Sequence, residues 1–255
     1  EILLKEGFTV SGSDTKESPL TKKLVSEGAH IIYGQKVENI TRDIGCVVYT
    51  AAINRNNPEL IEAVALKIPM LTRAELLGQL MKNYDTPIAV SGTHGKTTTT
   101  SMISHILLEG DLDPTISVGG ILKAIGGNIR VGNSGTFITE ACEYTNSFLH
   151  FFPKISVILN IEEDHLDFFK DLEDIRHSFH QFAELLPEDG TLIINAEIKD
   201  YAEIYEGLSC NVVTYGTNGC FDYSAKNITY DENGHVAFDL FRRGEYADHI
   251  QLSVT

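Results

Sequence analysis

The sequence predicts an α/β fold with two domains. These are a Rossmann-like parallel-sheet N-terminal domain (residues 1–84) and a P-loop-type α/β central domain with an antiparallel β extension (residues 85–255). Short apolar runs alternate with helical patterns along most of the chain, as in parallel sheets covered by helices. A glycine-rich loop follows the apolar run at residues 87–90, and a polar break at 82–87 predicts the domain boundary. From residue 220 onward, short strand patterns separated by turn residues replace the alternation.

The composition is that of a folded globular chain. Of its 255 residues, 42% are hydrophobic and 22% are charged, as is usual for soluble proteins. The net charge of −16 argues against a nucleic-acid surface. No apolar run reaches the roughly 18 residues of a membrane span and no signal peptide is visible, so we expect a cytoplasmic protein. The four cysteines show no C-x-x-C spacing, which indicates neither a zinc site nor a disulfide framework.

Alternating strands and helices predict the N-terminal domain. Residues 1–7 are typical of a last helical turn closed by glycine, so we expect the sequence to lack a preceding strand and turn. Pro58 in a first turn, and Thr72 with Glu75 in a capping box, mark two helix starts. The predicted strands are 8–11, 29–33, 45–50 and 70–71, and the predicted helices are 19–27, 57–66 and 72–81.

The same alternation predicts the central domain. Residues 126–128 are interpreted as a flexible turn, and residues 162–164 as the acidic first turn of a helix. Residues 231–234 and 242–245 are typical of hairpin turns. The strand-like run 251–255 ends the sequence, so we expect truncation there as well. Residues 116–120 are interpreted as a strand or a loop. The predicted strands are 87–90, 135–141, 155–160, 191–195 and 211–215, and the predicted helices are 97–108, 172–186 and 198–205.

The segment G-T-H-G-K-T at residues 92–97 lies between a predicted buried strand and a predicted helix. Gly92 and Gly95 allow the backbone to turn its N–H groups inward, and the helix N-terminus adds a partial positive charge. Lys96 can reach the β- and γ-phosphates of a nucleotide, and the hydroxyl of Thr97 can bind Mg²⁺. This order of elements is the one that binds nucleotide phosphates.

The loop is shorter than the general phosphate-loop pattern. That pattern requires a glycine five residues before Gly95, where this chain has Val90. The alternative is a solvent-exposed turn with a capping glycine and a surface lysine. The flanking strand and helix favour phosphate binding, and His94 lies between the glycines, where it would face the ligand. We therefore predict an ATP site and a central ATPase domain.

Two other predicted strands end in candidate metal ligands, at residues 140–143 and 160–167. Because the carboxyl ends of parallel strands share one edge of the sheet, we expect both segments to face the loop. A carboxylate, a histidine and the loop threonine could hold one or two Mg²⁺ ions against triphosphate oxygens. His165 would be an unusual Mg²⁺ ligand, and the alternative is a histidine that donates to Asp164 or Asp167 in a turn.

Asp14 ends the first predicted strand, where an acidic residue often binds a ribose hydroxyl in dinucleotide folds. An ordinary strand-to-helix turn also favours aspartate. The glycine fingerprint of an NAD-dependent oxidoreductase would lie upstream of the sequence. The lysine-bearing loop at residues 92–97 argues against that class.

Four segments together resemble a known family. They are G-T-H-G-K-T-T-T at 92–99, E-A-C-E-Y at 140–144, N-I-E-E-D-H-L-D at 160–167 and F-H-Q-F-A-E-L-L-P-E-D-G at 179–190. The chain resembles the Mur ligase family of peptidoglycan synthesis over its whole length. Residues 1–84 are similar to the family's UDP-substrate domain, and residues 85–255 to most of its ATP-binding domain. With histidine at position 94, the loop resembles that of the alanine-adding branch or of its relative, the murein tripeptide-recycling branch.

The resemblance implies an ATP- and Mg²⁺-dependent ligase that joins L-alanine to the carboxylate of UDP-N-acetylmuramate through an acyl phosphate. Its partners would be these small molecules, with no nucleic acid and no membrane span; the oligomeric state is left open. The implied ATP-binding residues are Gly92, Thr93, His94, Gly95, Lys96, Thr97 and Thr98. The implied metal ligands are Thr97, Glu140 and His165. The residues implied near the reacting groups are Lys96, His94 and Asn160, and those implied near the UDP-sugar are Asp14, Thr50 and Arg73.

The chain departs from the family in places. Cys142 replaces a carboxylate of the branch's usual E-A-D-E-S-D, and the helix after D-H-L-D has no lysine where many relatives carry a carbamylated one. An adenine-contacting segment and a C-terminal domain would follow residue 255, so we expect the sequence alone to be inactive. Two alternatives of other classes are a P-loop hydrolase and a non-catalytic nucleotide-binding module. The hydrolase is disfavoured because the chain has neither an N-K-x-D motif nor a strand-end Walker-B aspartate.

Overall fold

The computed structural model describes residues 1–50 and 53–253; residues 254–255 of the predicted last strand lie outside this part. The α-helices are α1 (Ile2–Lys5), α2 (Pro19–Ser26), α3 (Pro58–Ala65), α4 (Arg73–Met81), α5 (Lys96–Glu109) and α6 (Leu172–Glu184). The strands are β1 (Ser11–Asp14), β2 (His30–Tyr33), β3 (Val47–Tyr49), β4 (Met70–Thr72), β5 (Thr86–Ser91), β6 (Thr115–Leu122), β7 (Gly127–Arg130), β8 (Thr136–Glu140), β9 (Ile155–Ile158), β10 (Thr191–Asn195), β11 (Asn211–Gly216), β12 (Tyr223–Tyr230), β13 (Val236–Arg242) and β14 (Glu245–Gln251).

Within the described residues, ten strands form one mixed sheet in the order β14-β13-β12-β11-β10-β9-β5-β8-β6-β7. Strand β5 lies between β8 and β9 and runs parallel to both. Its residues Ala89, Val90 and Ser91 are fully buried, as expected for a strand covered on both faces. Strands β12, β13 and β14 pair antiparallel, which confirms the predicted β extension and its hairpin turns. The loops that follow β5, β8 and β9 therefore meet at one edge.

The first region of the chain contains two smaller sheets. Strand β1 pairs parallel with β2, and β3 pairs parallel with β4. Helix α3 begins at an Asn57 cap followed by Pro58, and α4 begins with the capping box of Thr72 and Glu75 that the sequence predicts. The predicted parallel α/β fold class is confirmed in both regions.

Helix α4 connects the two regions through packing. Its residues Leu77, Leu80 and Met81 belong to the same hydrophobic cluster as Phe137 of β8 and Phe182 of α6. Gly78 permits this contact, because a Cβ atom there would lie 1.9 Å from the carbonyl oxygen of His150.

Four local predictions differ from the structure. The first strand, predicted at 8–11, is Ser11–Asp14, because its paired register with β2 begins only at Ser11 and Phe8 is 61% exposed. Residue 126 makes the predicted turn, but the next residues pair with β6 as β7. Residues 162–164 do not start a helix because His165 is left-handed (φ 52°), and Asp171 caps α6 instead. The helix predicted at 198–205 is a 3₁₀ turn, Tyr201–Tyr205, because Asp200 has φ 51°.

No helix among the described residues combines the length and apolar character needed to cross a membrane.

Candidate functional site

The predicted phosphate loop joins β5 to α5 at the centre of the large sheet. Gly92 has φ +145° and Gly95 has φ +81°, both left-handed values that favour glycine. A Cβ atom on Gly92 would lie 2.9 Å from Cβ of Leu159. The first glycine is therefore required by backbone conformation and by the closeness of β9.

Helix α5 begins at Lys96 with Gly95 as its N-cap residue. Among the described residues, no side chain caps this helix end. Its first N–H groups can therefore donate to an anion, and the helix dipole favours negative charge there. These are the properties of a phosphate site.

Asn160 fixes the shape of the loop from the end of β9. Its Oδ1 accepts a hydrogen bond from the backbone N–H of His94 at 2.7 Å, and its Nδ2 donates to the His94 carbonyl at 3.1 Å. The hydroxyl of Thr93 accepts from the N–H of Glu162 at 2.9 Å. The His94 ring is mostly exposed, with Nε2 3.8 Å from a Glu162 oxygen. Asn160 thus contacts the loop directly.

Lys96 folds back under the loop. Its Nζ donates to the carbonyl of Gly92 at 2.5 Å and to that of Thr93 at 3.1 Å. It also donates to the carboxylate of Glu143, at 2.9 Å to Oε2 and 3.1 Å to Oε1. Glu143 is only 2% exposed. It lies in segment 140–143, which the sequence predicts as a source of metal ligands, but its pairing with Lys96 is not predicted from the sequence.

Thr97 and Glu140 are brought together as predicted. The Thr97 hydroxyl donates to Glu140 Oε2 at 2.9 Å, and the N–H of Gly119 donates to Oε1 at 2.5 Å. A hydroxyl and a carboxylate are oxygen ligands of the kind that Mg²⁺ prefers. These two residues fit a magnesium ion bound beside the phosphate loop.

His165 lies on the far side of Glu143. Its ring nitrogens are too far for hydrogen bonds, with Nε2 3.8 Å from Glu143 Oε1 and Nδ1 3.8 Å from Asp164 Oδ1. The backbone N–H of His165 does donate to Asp164 Oδ1, at 2.7 Å, as in the predicted alternative of a turn. The Tyr144 ring packs on the imidazole, with centroids 4.5 Å apart, and its hydroxyl donates to Asp167 at 2.8 Å. Among the described residues, no three His, Cys, Asp or Glu side chains form a cluster that could hold a metal.

A concavity of about 430 Å³ lies in the first region, and Asp14 and Thr50 are among the residues that line it. Asp14 Oδ1 accepts from the N–H of Thr15 at 2.6 Å. Sequence reasoning missed the buried Glu59, which accepts from Ser13 at 2.6 Å and anchors one wall. Arg73 is exposed at the start of α4 and is not among the described residues that line this cleft.

The fold and the loop define a phosphate-loop α/β protein. Residues 90–254 match the Mur ligase middle domain, and residues 1–85 match the catalytic domain of the Mur ligase family. The chain belongs to the Mur ligase family, an ATP-dependent family of ligases, which confirms the resemblance seen in its motifs.

Curated relatives carry the name UDP-N-acetylmuramate–L-alanine ligase. That of Agathobacter rectalis is 59% identical over 254 residues, covering 100% of this chain and 55% of the relative. That of Lachnospira eligens is 56% identical over 255 residues, covering 100% of this chain and 56% of the relative. The chain thus spans about half the length of the curated relatives it matches.

Two solved structures have similar folds. The UDP-N-acetylmuramate–alanine ligase of Thermotoga maritima superposes with a TM-score of 0.83 at 25% identity, covering 100% of this chain and 57% of its own. The UDP-N-acetylmuramate:L-alanyl-γ-D-glutamyl-meso-diaminopimelate ligase of Neisseria meningitides has a TM-score of 0.86 at 25% identity, covering 99% of this chain and 82% of its own.

Proposed function

We propose that this chain supplies the UDP-substrate and ATP-binding parts of a ligase in peptidoglycan precursor synthesis. The ligase joins L-alanine to the carboxylate of UDP-N-acetylmuramate and converts ATP to ADP and phosphate. The observation that carries the proposal is the phosphate loop, with Lys96 beneath it and the Thr97–Glu140 pair beside it. The names of relatives 56–59% identical over the whole chain also support it. The reaction would take place in the cytoplasm, where ATP is available.

The chemistry follows from the carboxylate's poor reactivity toward amines. A substrate carboxylate oxygen attacks the γ-phosphorus and ADP leaves, which gives an acyl phosphate. The amine of L-alanine then attacks the acyl carbon, phosphate leaves, and the amine loses a proton. Negative charge gathers on the transferred phosphoryl group, where the Lys96 ammonium and the N–H groups of α5 stabilise it.

Each predicted site residue receives a role in this proposal. Mg²⁺, when bound by Thr97, Glu140 and His165, would neutralise charge on the phosphate oxygens. The backbone of residues 92–98 binds phosphate, and Asn160 holds His94 near the reacting carboxylate. Asp14 and Thr50 contact the UDP-sugar in the cleft, and Arg73 contacts it from outside the cleft. Residues 1–84 and 85–255 are proposed as the two domains.

Phosphate release by the complete protein tests the proposal. With ATP, Mg²⁺ and UDP-N-acetylmuramate, we expect release that requires L-alanine and is lost in Lys96→Ala. The exposed Lys199→Ala serves as the matched control and should retain activity. Release that ignores both the UDP-sugar and the amino acid would contradict the proposal and favour a P-loop hydrolase. Nucleotide binding without any turnover would favour a non-catalytic module.

A second candidate is the recycling ligase, which joins a tripeptide to the same UDP-sugar. The observation in its favour is the TM-score of 0.86 to the Neisseria meningitides ligase. Stimulation by L-alanyl-γ-D-glutamyl-diaminopimelate, and not by L-alanine, would identify this activity.

A further inference from the structure

Glu143 stands out because the reaction described above gives it no task. It follows β8 closely and is 2% exposed, although it carries a charge. Buried carboxylates are rare unless they are paired, because water no longer solvates them. Its partner is Lys96, the cation of the phosphate loop, and both carboxylate oxygens lie within 3.1 Å of Nζ.

The three ammonium protons of Lys96 already have acceptors. These are the carbonyls of Gly92 and Thr93 and the carboxylate of Glu143. A phosphate oxygen can bind Nζ only by replacing one of them. Replacing Glu143 would leave a buried carboxylate without its main counter-ion, whereas replacing a carbonyl leaves a neutral group, which is much less costly. The exchange should therefore take place at a carbonyl, and the ion pair should persist in the nucleotide complex.

Glu143 is itself held firmly. Its carbonyl accepts from the N–H of Asn146 at 2.9 Å, and the Asn146 side chain accepts a hydrogen bond from Ser178 of α6. Thr145 and Asn146 both have φ 56°, a strained conformation that surrounding contacts must maintain. The backbone of Glu143 is thus held to the core through Asn146 and α6, and its carboxylate extends from this fixed point to Lys96.

We propose that Glu143 is the positioning residue for Lys96. It keeps the ammonium in the ion pair while phosphate replaces a loop carbonyl, and so directs Nζ at the phosphoryl group being transferred. The same carboxylate lies 3.8 Å from His165 Nε2, so one group connects the phosphate loop to the D-H-L-D segment. This inference rests on the proposed ligase function.

Glu143→Gln in the complete protein tests the inference, because it keeps the shape and removes the charge. We expect kcat for L-alanine-dependent phosphate release to fall roughly 10- to 100-fold, since a misdirected catalytic group is costly. The KM for ATP should stay within about threefold, because the loop N–H groups and α5 still bind the phosphates. Glu143→Asp keeps the charge, and its kcat should lie between those of Glu143→Gln and the wild type.

Glu203→Gln is the matched control. It removes a carboxylate paired with Arg176 at 2.9 Å, but its side chain is 65% exposed, so its kcat should match the wild type. A Glu143→Gln enzyme with the control's kcat, or with unchanged kcat and a raised KM, would overturn the inference. Tighter ATP binding would also overturn it, because Glu143 would then compete with phosphate for Lys96.

Failure of the variant to fold and failure of the proposed function give different results. If Glu143→Gln lacks the wild-type thermal transition, Glu143→Asp decides: a kcat below that of the wild type at unchanged KM supports the inference, and a wild-type kcat overturns it. If the wild type shows no L-alanine-dependent release, the proposed function fails and takes the inference with it. An active wild type with a Glu143→Gln variant like the control rejects the inference alone.

Discussion

The two regions of the molecule hold their polar loops in different ways. Around the phosphate loop, the supporting strand β5 is buried on both faces, and Asn160, Glu140 and Glu143 reach the loop from neighbouring strands. The first region has two short parallel pairs of strands, and its cleft opens between them. There, Leu20 of α2 and Val64 of α3 remain 52% and 66% exposed. The proposed phosphate site is thus preformed by the core, whereas the first cleft is supported by local caps and turns.

This difference fits the proposal that phosphoryl transfer takes place in the central region, whose loop is held more rigidly. Charge stabilisation needs donors fixed before the reaction, and a sheet buried on both faces fixes the loop that ends it. A cleft that binds the distant part of a substrate tolerates more movement. Three pairs of changes, one member in each region, and a fourth change at α4 can break or sharpen this contrast.

The largest effect is expected from the aromatic core beneath the site. Phe182 is fully buried and stacks on Phe148 with centroids 4.7 Å apart. Phe182→Ala should lower the free energy of unfolding, measured with urea, by about 3–5 kcal/mol. Val64→Ala in the first region should change it by no more than about 0.5 kcal/mol. Similar losses for the two variants would show that the contrast in packing is wrong.

A second effect separates the glycines of the two regions. Gly92→Ala combines a φ of +145° with a Cβ contact of 2.9 Å to Leu159, so it should cost about 2–4 kcal/mol of unfolding free energy. Gly28→Ala has φ +104° but meets no atom within 4 Å, so only backbone strain of about 1–2 kcal/mol remains. Thermal denaturation of both variants measures the difference. A larger loss of stability in Gly28→Ala than in Gly92→Ala would show that the close approach of Leu159 to the loop does not determine the cost at Gly92.

A third, smaller effect concerns the two asparagine anchors. Asn160→Ala removes both hydrogen bonds to the His94 backbone and should cost about 1 kcal/mol. Asn57→Ala removes the cap that accepts from Glu59 N–H at 2.8 Å and should cost a similar amount, about 1 kcal/mol. Hydrogen–deuterium exchange should show faster exchange confined to residues 93–94 in the first variant and to the start of α3 in the second. Faster exchange throughout the chain in either variant would contradict the assignment of local anchors.

The smallest effect is a pH dependence at α4, the helix between the regions. The N–H of Thr72, and next its hydroxyl, hold the pKa of the Glu75 carboxyl below its ordinary value of 4.5, while burial opposes this. A depressed carboxyl pKa stabilises the fold above about pH 4.5, and this stability is lost as the pH falls through the folded-state pKa. Glu75→Gln keeps the cap and should remove about 0.5 kcal/mol of this dependence between pH 7 and pH 3. An unchanged acid dependence of urea unfolding would show that Glu75 is not its source.

Sequence patterns predicted the central region well because local rules and the fold agree there. The loop glycines, Lys96 and the start of α5 were predicted to within one residue, since the motif and the flanking apolar periods coincide. The shift of β1 shows the opposite case: an exposed apolar run around Phe8 looks like a strand, but the ladder forms on S-G-S-D.

The pairing of Glu143 with Lys96 could not be predicted from the sequence, because it joins residues that are far apart in the chain. Its partner lies 47 residues earlier in the chain, and only the pairing of β5 with β8 brings the two together. A weak signal was available: E-A-C-E places a second carboxylate directly after a buried strand. The left-handed backbone of His165 and of Asp200 likewise prevents helical turns that the sequence predicted there. The preferences of single residues do not predict such a conformation.

The phosphate loop is short, yet the hydrogen bonds that join it to neighbouring strand ends span 43 to 69 positions along the chain. Bringing such distant segments together has an entropic cost that is recovered only when their strands pair. The loop therefore takes its final form late in folding, after β8 and β9 have docked beside β5. During synthesis, a chain that has emerged only as far as α5 holds the whole G-T-H-G-K-T motif but lacks the strands that shape it.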